Sequence, residues 1–440
     1  MSKWCLPGVR FTWIVVGMLC LPAPTAEGQV TALNNEGIKF YEKRLYHQAI
    51  DRFRKALELR EDDAEVKANL ALAWVGLGLE FLNSGESAPA EKAFQSALEV
   101  QEEPYAYFGL GYIHYLQQDD RGARRALERV LRLDATFARA YKILGLLEYR
   151  NGREDKAEEL MARAVELDKD DREAESILQR WRQHEKIAGK FKTRKTKRLR
   201  LRYDPELDRE TLRDIEAALE KALQAVGEAL GVWPQRRLSV TLFSEQSFRQ
   251  ATGAAHWIGG LFDGQIKIPV PTRATDGTAP TEAELAELSR ALHHELTHAL
   301  LKELYPAVPN WLNEGVAQFF EFYPHPDDDA ATLGRAVEFR RLRRKEAVAQ
   351  LREHAHQRVS LAKIPVRLWE QSDEARARWT YLQGLSFVDY LVDTYHLFRL
   401  RVFLKTARDS GSLQSACRLT YGRELEKLED DWWKSVLARE

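Results

Sequence analysis

Two histidines four residues apart, with a glutamate directly after the first, stand at His294, Glu295 and His298. On an α-helix, residues four apart share a face and lie about 6 Å apart along the axis. Two imidazoles so placed can close on one Zn²⁺, whose bonds to nitrogen are about 2.0–2.1 Å. Glu295 stands roughly 100° further round the helix. From there its carboxylate reaches water at the metal without becoming a ligand, the division of labour of an H-E-x-x-H helix. Catalytic zinc sites take three protein ligands and leave a fourth position open. A second motif, Pro309-Asn310-Trp311-Leu312-Asn313-Glu314-Gly315-Val316-Ala317, follows, with Glu314 sixteen residues beyond His298. That spacing holds the end of one helix, a proline turn and the start of another.

The flanks predict the elements that carry these residues. Thr281 and Glu284 form a capping box. Leu285, Leu288, Leu292, Leu296, Ala299 and Leu300 make a helical apolar stripe, which Pro306 and Pro309 end. Asn310 is the expected cap of the second helix, over Trp311–Phe322. Gly315 and Ala317 are small enough to let that helix approach a partner closely.

H-E-x-x-H followed by W-L-N-E-G-x-A resembles the gluzincin metallopeptidases, and in particular the peptidase MA-like group of bacterial exported proteins. The resemblance covers roughly residues 190–440, with the specific motifs inside 294–321. It implies that His294, His298 and Glu314 ligate one Zn²⁺ and that Glu295 is the catalytic acid and base. The second motif also resembles that of the M1 aminopeptidases, where a Glu seven residues past the ligand buttresses a zinc histidine; Glu321 stands at that offset. Thermolysin-type enzymes place an Asp four residues past the ligand, and Gln318 departs from that branch. In the M1 enzymes a Tyr-x-x-Gly further on supplies an oxyanion donor. Tyr381, in Tyr381-Leu382-Gln383-Gly384, stands in the same order, and the alternative for it is a core tyrosine at a helix start. The M1 Gly-Met-Glu-Asn motif that grips a free amino terminus has no counterpart here, which argues against a strict aminopeptidase and for an endopeptidase or a peptidase of a different specificity.

A chain of 440 residues with net charge −1 holds two or three domains and carries no global bias toward nucleic acid or anionic membrane. Lys3 and Arg10 precede an apolar run from Phe11 to Leu21, too short to span a bilayer comfortably. With Ala26-Glu27-Gly28 as the cleavage region, residues 1–28 read as an export signal, the alternative being an uncleaved anchor. Cys5 and Cys20 fall inside it, leaving Cys417 alone, so the mature chain has no internal disulfide and no cysteine metal site.

From about 30 to 180 the chain repeats. Gly78, Gly111 and Gly145 are 33 and 34 residues apart, and each is followed twelve residues on by Ala90, Ala123 or Ala157; Gly37 and Ala49 share the offset. Large residues recur at Phe53, Phe94, Leu127 and Met161. Glycine in a first helix, alanine in a second and a period near 34 resemble the tetratricopeptide repeat. The step from Gly37 to Gly78 is 41, which predicts a helix lengthened near 64–70. Such a solenoid either binds a partner in its groove or serves as a rigid platform. Tyr105, Tyr107, Tyr112 and Tyr115 are groove candidates.

Lys186–Arg202 carries nine basic residues and no acid. From Lys197 to Tyr203 the alternation of Leu199, Leu201 and Tyr203 with charge predicts a half-buried edge strand guarded by Lys and Arg. A helix over Arg209–Leu230, stopped by Gly231, and a strand over Leu238–Phe243 follow. Asp263-Gly264 signals a hairpin, with a short strand over Gln265–Ile268. By the gluzincin resemblance, Gly259–Ile268 is the sheet edge that pairs with substrate, with Gly260, Gly264 and Ile266 as its substrate-binding residues. The basic helix over Phe339–Leu351 reads as a solvated face, and His325, His354 and His356 as surface residues.

These readings combine into a multidomain protein. An all-α tetratricopeptide solenoid over 29–182, of about four units, precedes an α+β zincin-type domain over 183–440. Within the latter, 183–280 forms a small sheet and helix, 281–323 the zinc helices and 324–440 a mostly helical remainder. The expected function is zinc-dependent peptide hydrolysis in an exported, periplasmic or secreted protein. Peptide or protein is the substrate, and a protein partner is available to the solenoid; nucleic acid is not expected, and a membrane only if the signal is uncleaved. The alternatives are a repeat scaffold with a vestigial zinc domain and a zinc hydrolase acting on a non-peptide bond.

Overall fold

The computed structural model describes residues 26–84, 86–252, 260–271, 280–325, 327–361, 364 and 374–438. The expected export signal, with Cys5 and Cys20, lies outside them up to residue 25, as does Gly259 of the expected substrate edge. Among the described residues no helix is long and apolar enough to cross a membrane.

Four packed helix pairs open the chain: α1 (Ala26–Glu42) with α2 (Tyr46–Leu59), α3 (Ala64–Asn83) with α4 (Ser87–Val100), α5 (Pro104–Leu116) with α6 (Asp120–Leu133), and α7 (Ala138–Arg150) with α8 (Glu154–Leu167). The repeated residues explain the pairing. A methyl group on Gly78 would come within 2.6 Å of the Phe94 ring, and one on Gly111 within 2.9 Å of Leu127. Gly37 faces Phe53 in the same way. Ala49, Ala90, Ala123 and Ala157 are fully buried on the second helices. Gly78 is the fifteenth residue of α3, whereas Gly111 and Gly145 are the eighth of α5 and α7. The long first step therefore comes from extra turns at the start of α3.

Helix α9 (Arg172–Ala188) continues across the expected boundary at 182–183. Trp181 stacks on Tyr149 of α7 at 4.3 Å between ring centroids, and His184 meets Phe243 of the sheet edge-on at 5.7 Å. One helix thus bridges solenoid and sheet.

The second half begins with β1 (Lys192–Lys195), β2 (Leu199–Tyr203), α10 (Arg209–Leu230), β3 (Leu238–Ser244), α11 (Glu245–Thr252), β4 (Leu261–Phe262) and β5 (Ile266–Val270). The strands make one sheet in the order β1-β2-β3-β5-β4, parallel at β2–β3 and β3–β5 and antiparallel at both ends. Gly231 ends α10 in the left-handed conformation (φ 64°), as a C-terminal glycine does.

The edge-strand reading of Lys197–Tyr203 is corrected. The exposed strand β1 takes the edge, and β2 is paired on both sides. Its arginines are not solvent guards. Arg200 donates to the Gly152 carbonyl, and Arg202 donates to Glu185 (3.1 Å) and to the Ala188 carbonyl (2.6 Å). Alternation gave the pleat correctly, but long side chains bring charge to partners the pattern does not reveal.

Among the described residues, six α-helices follow: α12 (Glu282–Leu304), α13 (Asn310–Phe320), α14 (Ala330–Glu353), α15 (Glu374–Ser410), which kinks at His396, α16 (Leu413–Tyr421) and α17 (Leu425–Ala438). The Thr281–Glu284 capping box is formed at the start of α12. The buried stripe begins at Leu288, while Leu285 is exposed. Asn310 is not the cap of α13. Pro309 holds that position, its carbonyl accepting from the amides of Leu312 (3.0 Å) and Asn313 (2.9 Å), and Asn310 is the first helical residue. One continuous apolar core joins β2, β3, β5, α10, α12, α13, α15 and α17, running from Leu199 to Val436.

Candidate metal centre

Helices α12 and α13 carry the site on one continuous support, because Leu292, Leu296 and Leu300 on α12 and Trp311, Leu312 and Val316 on α13 are buried in the same core. His294 and His298 point from one face of α12, with Nε2 atoms 3.1 Å apart. Glu314 reaches across from α13, its Oε2 lying 3.6 Å from His294 Nε2 and its Oε1 3.6 Å from His298 Nε2. Among the described residues these three form the group of possible ligands whose donor atoms all lie within 4.8 Å of one another. Ligands around a tetrahedral ion with bonds near 2.0–2.1 Å stand about 3.3 Å apart, so the donor set fits a single ion of that kind.

Burial and the neighbouring carboxylates set the protonation of the cluster. Burial pushes the His298 imidazole down to about 4, which leaves it neutral with a free lone pair. Burial opposes a charge on His294 too, yet Glu314 and Glu321 hold that imidazole well above the ordinary histidine value. Burial opposes charge on Glu314, and His298 and His294 nevertheless keep its carboxyl below the usual range. His294 Nδ1 lies 3.0 Å from Glu321 Oε1, and the other oxygen of Glu321 accepts from Arg343 at 2.6 Å. A carboxylate so fixed orients the ring and makes its far nitrogen a better donor.

Glu295 is buried beside the pair. Burial raises its carboxyl to about 7, with Glu314, Asp263 and Glu321 adding to the rise and His294 opposing it. Gly260, at the entry to β4, lies against it: a methyl group there would stand 2.7 Å from Glu295 Cγ. Phe262 of β4 lies over the His298 ring at 6.5 Å between centroids.

The cluster sits in a cleft of about 800 Å³. Its walls are α12, α13, β4, Tyr381 and Arg343, and at one end Tyr115, Gln118 and Arg150 of the solenoid. Gln118 donates to the Lys302 carbonyl at 2.6 Å and accepts from Arg236 at 3.1 Å. The repeats therefore close one end of the cleft rather than standing apart from it.

Of the residues expected at the site, His294, Glu295, His298, Glu314, Glu321 and Gly260 come together. Tyr381 is half-buried on the cleft wall, and burial with the nearby Glu314 raises its phenol, keeping a hydroxyl donor there. Ile266 does not belong to a free edge. It lies in β5, paired with Val240 and Phe262 on its two sides and fully buried, because the two-residue β4 takes the edge. Gly264 adopts φ 105° at the hairpin tip and faces Tyr149 and Arg150 of the solenoid. His325 is buried rather than on the surface, its Nδ1 accepting from the Asp327 amide at 3.1 Å. Arg343, assigned to a solvated face, instead holds Glu321.

Lys302 was missed by the sequence reading, although it follows His298 by four residues, the same step that joins the two histidines. Arg150, Arg236 and Gln118 gave no local signal.

Fold and site define a class: a helical-repeat solenoid joined to an α+β domain whose paired helices present two histidines and a glutamate to a cleft. Residues 220–438 match the Peptidase MA superfamily model, and residues 75–121 and 120–172 match the tetratricopeptide repeat model. The chain carries a Peptidase MA superfamily domain over residues 220–438, with tetratricopeptide repeats ahead of it. No curated protein matches it.

Proposed function

We propose that the protein is a zinc-dependent peptidase, and specifically an endopeptidase, whose repeat domain recruits a substrate or partner. The observation that carries this reading is the convergence of His294, His298 and Glu314 within 4.8 Å in a cleft that also holds the buried carboxyl of Glu295. When bound, Zn²⁺ would supply a Lewis acid that polarises the scissile carbonyl and makes water more acidic. His294, His298 and Glu314 would hold it, and Glu321 would fix the His294 ring.

Glu295 takes the proton of the attacking water and returns it to the leaving amine, a role suited to a carboxyl held near neutrality. The Tyr381 hydroxyl donates to the oxygen on which negative charge develops. The outer edge of β4 offers backbone groups to an extended peptide, and Gly260 lets that strand lie close to Glu295. The basic, apolar amino-terminal segment supports an exported protein.

The test is metal content of the purified protein combined with cleavage of a quenched-peptide library, with and without chelator. Cleavage lost with the metal and restored by Zn²⁺ is expected. Stoichiometric zinc without turnover on any peptide would overturn the peptidase reading.

A further inference from the structure

Lys302 is the third residue in a line of i, i+4 and i+8 positions that starts with His294 and His298, and it lines the same cleft. Its ammonium makes one hydrogen bond, a long one of 3.3 Å to the Pro306 carbonyl. Among the described residues no carboxylate forms an ion pair with it. Burial lowers its proton affinity, and no acid counters that effect.

The surrounding charges do not supply the missing partner. Glu303, the next residue, turns toward Arg236 at 3.9 Å. Asp120 is shared between Arg150, with which it is paired directly, and Arg236 at 3.6 Å. The balance at this end of the cleft sets Lys302, Arg150, Arg236 and Arg237 against Glu303 and the neighbouring Asp120, whose ion-pair partners are arginines. Burial further pushes the Glu303 carboxyl upward, which weakens the acidic side of that balance.

We propose that Lys302 is a specificity subsite for a substrate carboxylate placed within about two residues of the scissile bond. The distance follows from geometry: four helical residues rise about 6 Å, and an extended peptide advances about 3.3 Å per residue. A half-buried ammonium with unused donors gives up part of its hydration, and an arriving carboxylate offsets that loss with charge-assisted hydrogen bonds. A helix-capping role for Lys302 uses only the contact to Pro306 and predicts no preference among ligands. The carboxylate belongs either to an acidic side chain, as cleavage by an endopeptidase requires, or to a free carboxyl terminus, which would make the enzyme a carboxypeptidase; the chemistry of recognition is the same for both.

The inference takes from the peptidase reading that the cleft receives peptides, but it does not depend on turnover. The experiment uses the full chain with Zn²⁺ and a Glu295→Gln background, measuring affinity for matched fluorescent peptides by anisotropy. Peptides carry Glu or Gln near the central bond, each as free acid and as carboxy-terminal amide. Carboxylate-bearing peptides are expected to bind about tenfold tighter than neutral ones. Adding Lys302→Met should bring that ratio close to one, and Lys302→Arg should restore most of it. A preference for Glu over Gln assigns the side chain, and a preference for free acid over amide assigns the chain end. Equal affinity for charged and neutral peptides, or a preference that survives Lys302→Met in a folded, metal-loaded protein, would overturn the subsite. The peptidase reading fails separately, through absence of cleavage by the Glu295-containing protein.

Discussion

Gly315 and Gly384 meet backbone to backbone where α13 crosses α15: a methyl group on Gly315 would stand 2.5 Å from the Gly384 carbonyl carbon. A methyl on Gly384 would overlap the Trp311 carbonyl oxygen. This contact fixes the distance between Glu314, one residue before Gly315, and Tyr381, nearly one turn before Gly384. The obstacle on each side is main chain, which has no rotamer to adopt. Gly384→Ala should therefore destabilise the protein by about 1–3 kcal/mol and weaken metal binding, as read by urea unfolding and zinc titration. Gly334→Ala is the control: no atom lies within 4 Å of its added methyl, and α14 should gain about 0.5–1 kcal/mol.

Glu314 and Glu295 should separate by phenotype. Glu314→Ala removes one of three donors, and metal content after dialysis should fall from about one ion to near zero. Glu295→Gln leaves the donors in place and should retain the ion, while peptide cleavage falls by about 10²–10⁴-fold. Metal loss in both variants would show that Glu295 is a ligand.

Glu321 should tune the site from outside the ligand set. Glu321→Gln removes the charge that His294 and Arg343 share, and zinc affinity should drop by about 10–100-fold. Arg343→Met leaves that carboxylate in contact with His294 and should produce a smaller change in the same direction, measured with a competing chelator.

His184 gives a pH dependence at the solenoid–sheet junction, far along the chain from the candidate metal triad. Burial and the neighbouring Lys267 lower its imidazole from 6.5 to about 3, with Asp263 opposing and Arg202 assisting. The unfolded chain binds its proton near pH 6.5 while the folded chain resists doing so. Between about pH 6.5 and pH 3 the unfolded state thus holds more protons, and stability falls as pH falls. Thermal melts across this interval should show that slope, and His184→Phe, which keeps a ring against Phe243, should flatten it. An unchanged slope would assign the acid sensitivity to other groups.

The sequence alone determined whatever is written within one element or one repeat. The four-residue step from His294 to His298, the capping box at Thr281, the left-handed stop at Gly231, the turn at Asp263-Gly264 and the spacing of Gly78, Gly111 and Gly145 are local codes, set by helical periodicity and by backbone conformations that only certain residues adopt. The candidate metal triad and Glu321 were legible because two motifs fall on adjacent helices joined by a short turn. Tertiary structure decided the rest. Which strand forms the edge depends on pairing, so Ile266 became interior and β4 the rim. Arg343 reached Glu321 from a helix whose own pattern looked solvated, and Gln118 reached Lys302 across 184 residues. Such contacts arise from how apolar faces stack in a shared core, and the identity of a distant polar partner leaves no trace in the periodicity of either segment.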